Sequence, residues 1–100
     1  MGGRSSGGAR NSSPIEYNEE GEVIFKFSGT DKSTGKRVIG MEISARTIKD
    51  AKQDIRANGY TVSANKLLPR KMFDEIMNNM NGYSWEWEEA YKEAKKLIGG

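Results

Sequence analysis

Val23 to Ser44 reads VIFKFSGTDKSTGKRVIGMEIS. Val23, Phe25 and Phe27 alternate with Ile24, Lys26 and Ser28, the period of two that marks a strand with one buried face. Beyond Asp31-Lys32-Ser33-Thr34-Gly35-Lys36, Ile39, Met41 and Ile43 alternate in the same way with Val38, Gly40 and Glu42. The polar segment between the two runs reads as a hairpin loop, with Gly35 at the left-handed position of a type I turn plus bulge. A β-hairpin is the anchor of the fold, and the rest of the chain is read outward from it.

On its C-terminal side, Ser44 is placed to cap a helix from Ala45 to about Ala57, which Asn58-Gly59 ends. At about 100° per residue, Ile48, Ala51 and Ile55 share one narrow face suited to lie on the sheet. Lys49, Lys52 and Arg56 fall on the neighbouring flank with Arg46 at its edge, and Asp50 and Asp54 lie on the far side. Tyr60, Val62 and Ala64 alternate again and predict a strand through about Lys66. Pro69 suits the first turn of a second helix with an apolar stripe of Met72, Phe73, Ile76, Met77 and Met80, broken at Asn81-Gly82. Ser84 is the expected cap of a third helix. Its Glu86, Glu88 and Glu89 at the start and Lys92, Lys95 and Lys96 near the end match the helix dipole. Trp87, Ala90, Tyr91, Ala94, Leu97 and Ile98 form its buried face, and Trp85 points roughly opposite.

On the N-terminal side, Ile15 and Tyr17 alternate with Glu16 and Asn18, and Asn18-Glu19-Glu20-Gly21 reads as a turn. Met1 to Ser13 holds too little apolar area to offset its ordering entropy and is expected to be a disordered Gly/Ser-rich tail. The expected architecture is α+β: a small antiparallel sheet of three to four strands with one packed helix, then a C-terminal helical pair. It forms a single domain over residues 14–100.

Composition removes several chemistries. The chain has no cysteine and no histidine. Disulfides, thiolate and imidazole metal sites, and cysteine- or histidine-based catalysis are therefore absent. Gly29 to Lys36 (GTDKSTGK) fails the phosphate-loop spacing G-x-x-x-x-G-K-[ST], since Gly35 is one residue too far from Gly29 and Arg37 replaces the hydroxyl residue. No apolar run is long enough to span a membrane. The expectation is a protein that is not an enzyme and has no cofactor, metal or membrane partner.

Charge is sorted along the chain. Met1–Glu22 has two basic and four acidic residues (2 − 4 = −2), Val23–Met72 has eleven and four (+7), and Phe73–Gly100 has three and six (−3). The total of +2 conceals this asymmetry. A basic middle suits an acidic partner, and phosphate neutralisation by Lys and Arg requires such a patch and no catalytic group. The set comprises Lys26 on the strand, Lys32, Lys36 and Arg37 on the hairpin, Arg46, Lys49, Lys52 and Arg56 on the helix, and Lys66, Arg70 and Lys71 beyond. A solvated helix flank explains part of the same set.

The opening MGGRSSGG resembles that of many small proteins encoded in phages and prophages of Gram-positive bacteria. Gly21 to Ala51 contains a strand, the hairpin DKSTGKR, a second strand, and RTIKDA opening a helix. This segment resembles the Arm-type DNA-binding domain of phage tyrosine integrases, in which three strands and a helix present the sheet to the major groove. The resemblance implies DNA contacts by Lys36, Arg37 and Lys26. Phe25 to Val62 is also similar to the cytoplasmic N-terminal module of type II secretion inner-membrane platform proteins.

Two functional expectations follow. The first is a phage-type accessory protein that engages nucleic acid, or a nucleic-acid-processing host protein with an acidic surface. Its contacts are Lys26, Lys32, Lys36, Arg37, Arg46, Lys49, Lys52 and Arg56. The second is a protein–protein adaptor in virion assembly or host-factor binding, with Trp85 of the acidic C-terminal helices as the anchor. Either is placed in the host cytoplasm or the virion.

Overall fold

Strands β1 (Val23–Asp31) and β2 (Arg37–Ala45) form the expected antiparallel hairpin in a computed structural model that describes residues 14–79 and 82–99. Gly35 is left-handed at φ 75°, and its N–H donates to the Asp31 carbonyl at 2.7 Å. β1 is the central strand, with β2 on one side and β3 (Tyr60–Pro69) on the other, both antiparallel to it. Val23, Phe25 and Phe27 are buried as their alternation predicts. Burial of side chains this size contributes about 1.5–3 kcal/mol each. The further strand pairing near the N-terminus is a single bridge, Tyr17 to Val23, supported by the Ile24 N–H donating to the Glu16 carbonyl at 2.9 Å.

The inward face of β2 differs from the simple alternation. Phe27 pairs with Met41 and Gly29 with Val38, so Ile39 and Gly40 together stand opposite Ser28. Gly40 supplies the left-handed conformation (φ 72°) that such a bulge favours. The extra residue inverts the parity. Val38 packs inward before it, Met41 and Ile43 pack inward after it, and Ile39 is left 61% exposed.

Helix α1 (Ile48–Ala57) starts later than expected because Ser44 and Ala45 remain in β2, paired with Ile24 and Val23. Ala45 is buried there, which favours continuing the ladder over an early helix start. Thr47 is the cap instead, its Oγ1 accepting the Asp50 N–H at 3.1 Å. Ile48, Ala51 and Ile55 are buried, and Ile55 lies beside Phe27, Met41 and Ile43, so α1 covers that face of the sheet.

β3 runs to Pro69 rather than ending near Lys66, and it does so in two pieces. Val62 pairs with Gly29 and Leu67 with Phe27, which leaves Ser63, Ala64, Asn65 and Lys66 opposite Ser28. Ala64 is consequently exposed rather than part of an inward row.

Helix α2 (Arg70–Asn78) follows with Pro69 as its N-terminal boundary and lies on the sheet face opposite α1, where Asp74 meets Lys26. Phe73 and Ile76 are buried and Met72 is half-buried, but Met77, expected in the same stripe, is 46% exposed. Helix α3 (Ser84–Ile98) is bounded by Tyr83, not Ser84; the Tyr83 N–H donates to Glu86 Oε1 at 2.9 Å. Trp87 and Ala94 are buried, and Trp87 meets Phe73 edge-to-face at 5.1 Å, joining the two C-terminal helices. Leu97, in the last turn, is 53% exposed and leaves the expected buried face. The α+β class holds. The expectations for residues 1–13, Met80 and Asn81 lie outside the described residues.

Candidate functional site

The hairpin loop and the end of α1 are tied together by one backbone hydrogen bond. The Lys32 N–H donates to the Gly59 carbonyl at 2.9 Å, while the Gly59 N–H donates to the Arg56 carbonyl at 3.0 Å. The loop is braced from within. Asp31 Oδ1 accepts the Ser33 hydroxyl at 2.8 Å and the Ser33 N–H at 2.9 Å, bonds that hold the Asp31 carboxyl below its ordinary pKa. Lys32, Lys36 and Arg37 therefore leave the same end of the molecule as Arg56. These four side chains and Lys49 are exposed, Lys52 is half-buried, and none of them forms an ion pair among the described residues.

Other members of the basic set are placed elsewhere. The Lys26 ammonium is 2.7 Å from Asp74 Oδ1, on the face covered by α2. The sheet carries a helix on each face, so the sheet-in-groove contact implied for Lys26 meets no open face here. Arg70 donates through Nε and Nη2 to the two carboxylate oxygens of Glu16 at 2.8 and 3.0 Å, and through Nη1 to Glu42 at 3.3 Å. The Arg70 bonds hold Glu16 below its usual range, and the two carboxylates raise Arg70 above its own. Arg46 does not join the flank of Lys49, Lys52 and Arg56; it lines a shallow depression with Glu22, Asp50 and Asp54. Lys66 sits over the Trp87 ring at 5.4 Å.

Sequence reading missed a cavity of about 500 Å³ beside the basic flank. Lys52 and Arg56 of α1, Ser63 and Asn65 of the β3 bulge, Leu67 beneath them and Tyr91 of α3 line it. The bulge adjoins a close approach: a Cβ on Gly29 would overlap the Thr61 carbonyl oxygen, so only glycine lets β3 cross there. Asn65 is the one described non-glycine residue with positive φ, at 60°, a conformation that asparagine tolerates better than most. The lysine ammoniums of Lys52 and Lys95 lie over the Tyr91 ring at 5.1 and 5.5 Å. At such solvent-reachable sites each contact contributes about 0.5–1 kcal/mol and is readily exchanged. A signal was present in the sequence, since Ser63-Ala64-Asn65-Lys66 is poor in strand formers.

Glu86, Glu89 and Glu93 of α3 line a second depression with Glu75, Met72 and Trp85, between α3 and α2. Trp85 is 62% exposed there, in keeping with its expected direction. Among the described residues, no cluster of acidic side chains could hold a metal ion and no helix is long and apolar enough to cross a membrane. No family model, curated protein or solved structure matches this chain.

Proposed function

We propose that this is a small non-enzymatic accessory protein that binds the phosphate backbone of nucleic acid through its hairpin loop and the flank of α1. The observation that carries the reading is the Lys32–Gly59 hydrogen bond, which holds the hairpin loop bearing Lys32 and Lys36 against the turn that ends α1, the helix that carries Lys49, Lys52 and Arg56. Unpaired cations along one connected surface release condensed counterions on meeting phosphates, the main source of sequence-independent affinity. Lys26 and Arg46 fall outside this surface for the reasons above. A basic surface of this kind gives general affinity rather than sequence specificity. Gel shifts on random duplex and single-stranded DNA at about 0.15 M salt test it. A shift that disappears when Lys49, Lys52 and Arg56 are reversed to Glu supports the reading, and no shift at tens of micromolar protein rejects it.

A second reading, a protein–protein adaptor, is favoured by Trp85. An exposed tryptophan flanked by Glu75, Glu86, Glu89 and Glu93 suits a partner segment that carries Lys or Arg around an apolar anchor. In that case Trp85→Ala abolishes capture of the partner while leaving nucleic-acid shifts unchanged.

A further inference from the structure

We infer that the cavity between α1, the β3 bulge and Tyr91 holds one unstacked nucleotide, which makes single-stranded nucleic acid the preferred form. This rests on the phosphate-binding reading above and specifies the strand that the surface serves. A flush cationic surface gains at least as much from the denser phosphates of a duplex as from those of a single strand. A pocket beside it favours the single strand, because a base inside a duplex is stacked and paired and cannot enter.

The pocket combines the groups that a nucleotide requires. Lys52 and Arg56 belong both to the pocket and to the basic flank, so a phosphate held by them leaves its own base next to the opening. Ser63 and Asn65 offer a hydroxyl and an amide for the hydrogen-bonding edge of a base. Leu67 supplies an apolar floor, and Tyr91 supplies a ring face. Its volume of about 500 Å³ lies within the range of small-molecule sites. The Lys52 ammonium now resting over Tyr91 is the gate: an entering base replaces it on the ring while the ammonium turns to the phosphate. Base–aromatic stacking of this kind tolerates any base, so any preference among bases comes from the Ser63 and Asn65 contacts alone.

The bulge that forms the wall is specified by the chain. Four residues of β3, Ser63 to Lys66, are set opposite one residue of β1, and Gly29 makes room for the crossing. Bulges are concentrated beside functional sites because they redirect side chains out of the ladder. Left-handed Asn65 at the same place is the kind of backbone outlier that such sites retain.

The test compares an oligothymidylate of about ten nucleotides with a duplex of equal length by fluorescence anisotropy at fixed salt. The expected result is roughly tenfold tighter binding of the single strand, a preference over the duplex that Tyr91→Leu removes. Amide NMR on the unsubstituted protein gives a second readout that does not depend on a folded variant. Oligothymidylate is expected to shift Ser63, Asn65 and Tyr91 strongly, and the duplex is expected to shift only the hairpin and α1. Equal affinity for both forms, with no shifts in the β3 bulge, overturns the pocket assignment and leaves phosphate binding standing. Binding of neither form overturns both.

Discussion

Gly29 lies against Thr61 so closely that a Cβ added to it would overlap the Thr61 carbonyl oxygen. The obstacle is backbone, and a side-chain rotation cannot relieve it. Gly29→Ala is therefore expected to destabilise the protein by about 3 kcal/mol or more, at the upper end of overpacking effects. Urea unfolding measures this, and a loss below about 1 kcal/mol would mean that β3 crosses β1 at a distance that leaves room for a methyl group.

The bulge at Gly40 yields a contrast between Ile39, which strand alternation places inward, and Ile55, which helical spacing places on the sheet. Ile55→Ala is expected to cost about 2–4 kcal/mol, because Ile55 is buried against the sheet and its truncation leaves a cavity. Ile39→Ala is expected to change stability by no more than about 0.5 kcal/mol, because its side chain is 61% exposed. Equal costs in chemical denaturation would remove the bulge and restore uninterrupted alternation along β2.

What the sequence made legible follows from how local each determinant is. The inward row of Val23, Phe25 and Phe27, the hairpin turn at Gly35 and the face of Ile48, Ala51 and Ile55 depend on spacing within one element, and spacing is visible. Ile39 was misplaced because a single left-handed glycine reverses side-chain parity, and Gly40 reads equally well as an ordinary outward residue. Thr47 replaced Ser44 as the cap because the pairing of Ala45 with Val23 is a cross-strand fact. The basic flank was legible as charge, but the removal of Lys26 by Asp74 and of Arg70 by Glu16 spans 48 and 54 residues of sequence. The cavity was the least visible, since its walls come from α1, β3 and α3 together.

Stability should fall in acid partly through Glu16. Its bonds to Arg70 hold its pKa below the ordinary 4.5, so the folded protein keeps the carboxylate charged where the unfolded chain begins to take up a proton. The stabilisation is complete above about pH 4.5 and is lost as pH falls through the lowered value. Arg70 stays charged throughout. The stability difference between the native protein and Glu16→Gln should thus be largest near neutrality and narrow below pH 4.5. A difference that widens in acid would reverse this assignment.

Arg46 and Arg56 provide the sharpest comparison on the binding surface, because composition and periodicity assign them together and the fold separates them. Arg56 continues from the hairpin loop into the cavity, whereas Arg46 lines a depression with Glu22, Asp50 and Asp54. Acidic neighbours repel phosphate and screen the guanidinium, so Arg46 adds little to counterion release. Each phosphate neutralised contributes a slope of about −0.9 on duplex DNA, or −0.7 on single strands, to log affinity against log salt. Arg56→Gln should make the slope shallower by nearly one such step and weaken binding at every salt concentration. Arg46→Gln should leave both slope and affinity almost unchanged, and both variants should keep the native circular dichroism spectrum because neither side chain is in the core. Equal losses from the two substitutions would extend the interface around the N-terminal end of α1 and displace it from the hairpin.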